Sequence, residues 1–134
     1  MNITAIIVII VSLSFLVFVH ELGHFIAAKL INIYVKQFSI VLLTTLFSTQ
    51  IGETEYAIGA LPIGGYVKLY GEDEIDEEDN DIPLERAFSS KSPLIKLTVL
   101  SGGVFMNFLV GILLIMVVFA FAGQPVERYA ISID

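Results

Sequence analysis

Apolar residues run without a charge from Ile3 to Val19, and again from Leu97 to Ala122. A helix that crosses a bilayer takes about 20 mostly apolar residues, so each stretch is long enough to span one. The first run continues through a polar pentapeptide at 20–24 and past Lys29 to Ile31. The pattern therefore predicts transmembrane helices over 1–31 and 97–123. Between them the pattern changes. Tyr34 to Ile40 alternates and is rich in β-formers, which predicts a strand. Residues 54–70 read as a β-hairpin, with Glu55-Tyr56-Ala57-Ile58 pairing with Tyr66-Val67-Lys68-Leu69 across Pro62 and the Gly64-Gly65 pair. Pro83 to Pro93 leads into the second span as a short interfacial helix. The expected fold is a membrane protein, mainly α, with two transmembrane helices joined by a loop over 32–96 that carries the hairpin.

Composition supports that fold class. The chain has 134 residues, 56% of them hydrophobic, and a mean hydropathy of +0.85. A soluble surface does not tolerate so much apolar area. A cleavable signal peptide fits the first run poorly, because there is no basic leader, the run is too long and no small-x-small site follows. Without cysteine, neither disulfides nor thiolate ligands are available.

Charge is unevenly placed. Of 14 acidic residues, eight fall between Glu72 and Asp81, a run that reads as a solvated loop. Calcium binding there is disfavoured, since the glycine and terminal glutamate of an EF-hand loop are missing. Nucleic acid is not an expected partner of this acidic chain; membrane lipid is. Six of the seven basic residues (Lys29, Lys36, Lys68, Arg86, Lys91 and Lys96) lie between or at the inner ends of the two spans. The positive-inside rule then puts 32–96 in the cytoplasm and both termini outside. The expected location is a multi-pass protein of the cell inner membrane.

The polar break in the first span is His20-Glu21-Leu22-Gly23-His24. Residues four apart on a helix project only ~40° from one another, so the two imidazoles can share one zinc ion. Glu21 lies beside them, off the metal, where it can take a proton from the attacking water and later pass it to a leaving amine. Zinc would supply the Lewis acidity. Polar residues that merely decorate a packed helix face are a costly alternative here. An ionisable side chain at mid-bilayer costs about 2.5–3.5 kcal/mol on insertion scales. Gly23, Ala27 and Ala28 leave room next to the histidines. On the second span Gly103, Asn107 and Gly111 fall four apart on one face, suited to close helix packing, with Asn107 free either to bridge helices or to face the active site.

Together these residues resemble the site-2 protease family of intramembrane zinc metalloproteases, in particular its bacterial regulator-of-sigma-E protease branch. The matching pieces are residues 19–25, Phe38-Ser39-Ile40, Gly52 to Tyr56, Leu61 to Lys68, and Gly103 to Phe108, in family order. The resemblance implies that His20 and His24 bind Zn2+ and that Glu21 is the catalytic base. It also implies that Gly64, Gly65, Tyr66 and Asn107 contact the substrate. That substrate would be a transmembrane protein such as an anti-sigma factor, with the hairpin presenting a strand edge to an unwound segment.

Two departures from the family pattern matter. The third zinc ligand of the family is an aspartate in a Leu-Asp-Gly motif on a later span, which this sequence does not reach. Val41-Leu42-Leu43-Thr44-Thr45 stands where the family has a glycine-rich stretch. Residues 124–134 look like the extracytoplasmic approach to a PDZ-like region. The expectation is the N-terminal part of a longer protease. Two alternatives are a catalytically inactive truncated membrane protein acting at most as a binding partner, and another membrane zincin with its metal site at the cytoplasmic face.

Overall fold

The computed structural model describes residues 2–40, 42–61, 64–73, 79 and 81–122. The tail at 124–134, most of the acidic run and the Pro62-Ile63 turn lie outside these residues.

Helix α1 spans Ile3–Leu30. Its N-terminus is closed by Asn2, whose side-chain oxygen accepts the Ala5 N–H at 2.9 Å. At the other end Asn32 takes φ 58, a left-handed conformation that asparagine tolerates. Ile33 N–H then reaches back to the Ala28 carbonyl at 2.9 Å and Asn32 N–H to that of Lys29 at 3.1 Å. This is the paired closure of a Schellman motif, with Ile33 packed against Ala28. Helix α2 spans Pro93–Ala122. It begins four residues before the expected start, because proline suits the first helical position and Lys96 does not interrupt a helix. Both helices are long and apolar enough to cross a membrane, and only 6% and 0% of their most apolar windows are buried inside the protein. Core helices of a soluble domain would bury that surface; these leave it outward, which is compatible with a membrane protein.

The helices cross at glycines. A Cβ on Gly23 would overlap the backbone of Gly102 and come 2.8 Å from Met106 Cβ. A Cβ on Gly102 would lie 2.7 Å from the Gly23 carbonyl oxygen. No side chain fits between the two backbones. Gly111, expected on the same packing face, has open space around it.

Four strands form one sheet: β1 (Val35–Ile40), β2 (Leu42–Ile51), β3 (Thr54–Leu61) and β4 (Tyr66–Leu69). Their order is β2-β3-β1-β4. The hairpin expected over 54–70 is therefore corrected: both strands exist, but β1 lies between them. It pairs parallel with β3 and antiparallel with β4. The actual hairpin joins β2 to β3 through Gly52, which takes φ 64. Leu42 to Thr45 form the start of β2.

The reason lies in β1 itself. Val35, Phe38 and Ser39 are buried. Phe38 packs on Phe18 and Phe25 of α1 and on Tyr56 of β3, with ring centroids 5.0–6.2 Å apart. A strand this apolar is covered best with a neighbour on each side. The remaining core joins Ala28, Ile33, Val35, Leu69 and Val99, tying the sheet to both helices.

Charged contacts fasten the loop below the helices. Glu53, in the β2–β3 turn, takes a two-pronged contact from Arg86 at 2.7 and 2.9 Å and a third from Lys29 at 2.7 Å. Arg86 ends a 3₁₀ turn at Leu84–Arg86, which stands where a short interfacial helix was expected. Asp79 departs from the solvated-loop reading of the acidic run: it is buried and pairs with Lys36 at 2.7 Å. Glu72, Asp73 and Asp81 are exposed as expected.

Two outcomes are expected. In detergent micelles, Gly23→Ala should lower the thermal midpoint, since overpacking costs about 1–3 kcal/mol. Gly111→Ala should leave it unchanged or raise it, within about 1 kcal/mol. The second concerns pH. The Arg86 contact, then Lys29, holds the Glu53 carboxyl down to about 2 from the ordinary 4.5. Because the folded value lies below the unfolded one, the stabilisation is complete above about pH 4.5 and is lost as pH falls towards 2. Hydrogen exchange of the β2–β3 turn should quicken over that window, and Glu53→Gln should abolish that pH dependence.

Candidate metal centre

His20 and His24 lie one turn apart on α1, facing α2 where the helices approach most closely. Their ring centroids are 4.7 Å apart and their planes nearly perpendicular. Both Nε2 atoms lie 2.6 Å from the point where a Cβ of Gly103 would sit. The glycine leaves open the space that both Nε2 atoms border. Gly103 thus serves the histidines rather than the helix contact, which falls to its neighbour Gly102.

The far side of each ring is also engaged. His24 Nδ1 is 2.8 Å from the Val99 carbonyl oxygen, an acceptor only, so Nδ1 carries the proton and donates it. In the neutral ring this leaves the Nε2 lone pair free. A metal-binding histidine commonly has this arrangement, with its outer nitrogen anchored to a carbonyl. His20 Nδ1 lies 3.4 Å from the Asn107 amide. Val99, Gly103 and Asn107 are spaced four apart on α2, so one face anchors both rings and leaves the gap between them.

Glu21 is in electrostatic reach of both imidazoles, of Glu72 and of the Val67 backbone N–H. It shares a cleft of about 210 Å³ with His24, Tyr66, Val67, Leu69, Glu72 and Val99. Strand β4 is a sheet edge, and three of its four residues line this cleft. A second pocket, of about 250 Å³, is lined by Leu16, Val17, His20, Glu21 and Asn107. The structure thus brings together His20, Glu21, His24, Asn107 and Tyr66. Tyr66 also donates its hydroxyl to Gln37 at 2.7 Å. Gly64 and Gly65 precede β4 without lining the cleft; Gly64 takes φ 100, which demands glycine.

Among the described residues, no third His, Cys, Asp or Glu joins the pair in a cluster able to hold a metal. The donor set present, two inward Nε2 atoms with one Nδ1 anchored on a carbonyl, fits two of the protein ligands of a zinc site. Sequence reasoning passed over Val99, whose contribution is a backbone carbonyl and leaves no signature. It also passed over Glu72, which lines the cleft while remaining exposed.

Comparison with known proteins bears on this geometry. The model of peptidase family M50 matches residues 8–132. A Helicobacter pylori protein named "Putative zinc metalloprotease" is 44% identical over 108 residues, covering 80% of this chain and 31% of the relative. Proteins of the same description from Clostridium perfringens and Fusobacterium nucleatum are each 42% identical. They cover 78% and 86% of this chain, and 30% and 32% of their own lengths. The chain spans about a third of the length of the curated relatives it matches. With a family match over nearly its whole length, the chain belongs to peptidase family M50, the site-2 protease family.

Proposed function

We propose that this chain carries the metal-binding and proton-transfer half of an intramembrane zinc endopeptidase that cuts transmembrane segments of other proteins. The observation that carries this reading is the convergence of the His20 and His24 Nε2 atoms on the space at Gly103, beside Glu21, between helices with apolar exteriors. His20 and His24 would hold the zinc, which when bound supplies Lewis acidity towards the scissile carbonyl. A third protein ligand would come from a segment outside the described residues, in the manner of the family's Leu-Asp-Gly aspartate.

Glu21 acts as the base. It takes one proton from the attacking water, whose hydroxyl adds to the peptide carbonyl, and delivers that proton to the amine as the C–N bond breaks. A peptide bond inside a helix is shielded by its own hydrogen bonds and must be extended first. The edge of β4, with Gly64 and Gly65 leading into Tyr66, offers backbone groups on which an extended substrate strand can pair next to Glu21. Asn107 lines the second pocket with His20 and Glu21. An anti-sigma factor stub is the type of substrate the family resemblance suggests. The basic residues at the helix ends support a cytoplasmic 32–96 loop in the inner membrane, with both termini outside.

A second reading has its own support: with only two ligands clustered among the described residues, the 134-residue chain alone is inactive and at most binds partners. One experiment separates the two. When the chain is co-expressed with a segment supplying the Leu-Asp-Gly aspartate, Glu21→Gln should retain zinc and lose cleavage of a transmembrane reporter by at least ~100-fold. His20→Ala should lose the zinc. Zinc retained after both histidines are replaced would sink the site. Stoichiometric zinc on the 134-residue chain, with cleavage that Glu21→Gln abolishes, would show that no outside ligand is needed. Topology has an independent check. Since the chain has no cysteine, Asp73→Cys gives a single thiol, expected to react with an impermeant maleimide only when the cytoplasmic side is opened.

A further inference from the structure

His24 has an unambiguous anchor for its outer nitrogen in the Val99 carbonyl. His20 does not: its Nδ1 faces the side-chain amide of Asn107, one end of which donates and the other accepts. As placed, the NH2 group lies 3.4 Å from Nδ1 and the amide oxygen is buried without a partner. In that orientation Nδ1 accepts, so the neutral ring must carry its proton on Nε2. Nε2 would then hold a proton in place of a lone pair, and His20 could bind no metal through it. Turning the amide by 180° exchanges two atoms of nearly equal size and reverses every polarity. The oxygen then accepts Nδ1–H, and Nε2, which borders the space at Gly103, keeps its lone pair. Either orientation leaves one end of the amide unpartnered among the described residues. Hydrogen-bond satisfaction therefore does not choose between them; the requirement on His20 does.

We propose that Asn107 is the positioning residue of His20: its amide oxygen accepts the Nδ1–H of His20 and so leaves on Nε2, which borders the same space as His24 Nε2, the lone pair that a shared metal requires. The two anchors then sit eight residues apart on α2, Val99 for His24 and Asn107 for His20, with Gly103 midway. Antiparallel helices match this order, since His24 follows His20 by four on α1. Without such an anchor a neutral imidazole favours the proton on Nε2, the tautomer that blocks the site. The purpose of the contact rests on the zinc-site reading above, but the contact itself can be measured without metal.

The chain has only two histidines, so a two-bond proton–nitrogen spectrum of the ¹⁵N-histidine-labelled, metal-free chain in micelles contains two rings. It is recorded at about pH 9, above the ordinary imidazole range. Both rings should carry the proton on Nδ1. Asn107→Leu should move the His20 ratio towards the Nε2–H form by about tenfold, leaving His24 unchanged, and Asn107→Asp, an acceptor only, should restore it. Zinc affinity by chelator competition should fall ~10–100-fold in Asn107→Leu and recover in Asn107→Asp. A wild-type His20 with its proton on Nε2 overturns the proposal even if the variants fail to fold. So does an unchanged ratio in a folded Asn107→Leu. A chain with the expected tautomers that binds no zinc in any context would instead sink the zinc reading and leave the Asn107 contact standing.

Discussion

The close crossing of α1 and α2 at Gly23 and Gly102 is the constraint on which the rest depends. Because no side chain fits between these backbones, the helix axes come near enough for α2 to touch the histidines of α1. A wider crossing would leave His24 short of the Val99 carbonyl and His20 short of Asn107. The glycines cost backbone entropy in both helices. What they gain is a polar site closed on one side by backbone rather than by mobile side chains. Association of apolar helices in lipid rests on such packing, since lipid tails are as apolar as the helices themselves.

Polarity in this setting must be accounted for atom by atom. Two imidazoles and a carboxylate sit between helices whose outer surfaces are almost wholly apolar. Each imidazole has its outer nitrogen against a group on α2 and its inner nitrogen turned to a shared space. Under the proposed function, that division of labour is what a ligand pair needs and stray polar residues on a packed face would not. It also explains why Gly103 cannot be larger: a methyl group there would occupy the space both nitrogens face. The strong charges of the loop are arranged differently. Glu53 collects Arg86 and Lys29, so the end of α1, the β2–β3 turn and the approach to α2 are clamped together beyond the apolar stretch.

The sheet links that clamp to the chemistry. Strand β1, held to α1 through Phe38, Phe18 and Phe25, forces β3 and β4 to opposite sides of itself. As a result β4 becomes an edge beside Glu21 and His24 instead of the inner half of a hairpin. An edge strand has backbone groups to spare, and here they border the cleft that contains the carboxylate. Under the proposed function this is where an unwound substrate would be received.

Much of this was readable in the residues. Apolar run length announced both long helices, because a long unbroken apolar run is compatible with a span in which the backbone satisfies itself. The four-residue spacing of His20 and His24 put both rings on one face, because helix periodicity is a local property. Strand content at 35–40, 54–61 and 66–69 was legible for the same reason. Partners were not. Alternation shows that Tyr56 and Val67 belong to strands, yet nothing in it says that β1 slips between them, since strand order follows from long-range burial of Val35 and Phe38. Gly102, Gly103 and Gly111 look alike in a string of letters; the helix crossing assigns one to contact, one to the imidazoles and one to open space. A backbone carbonyl such as that of Val99 has no letter at all. Local periodicity thus set the elements and the histidine pair, while the approach of distant segments set what each ring, glycine and strand edge faces.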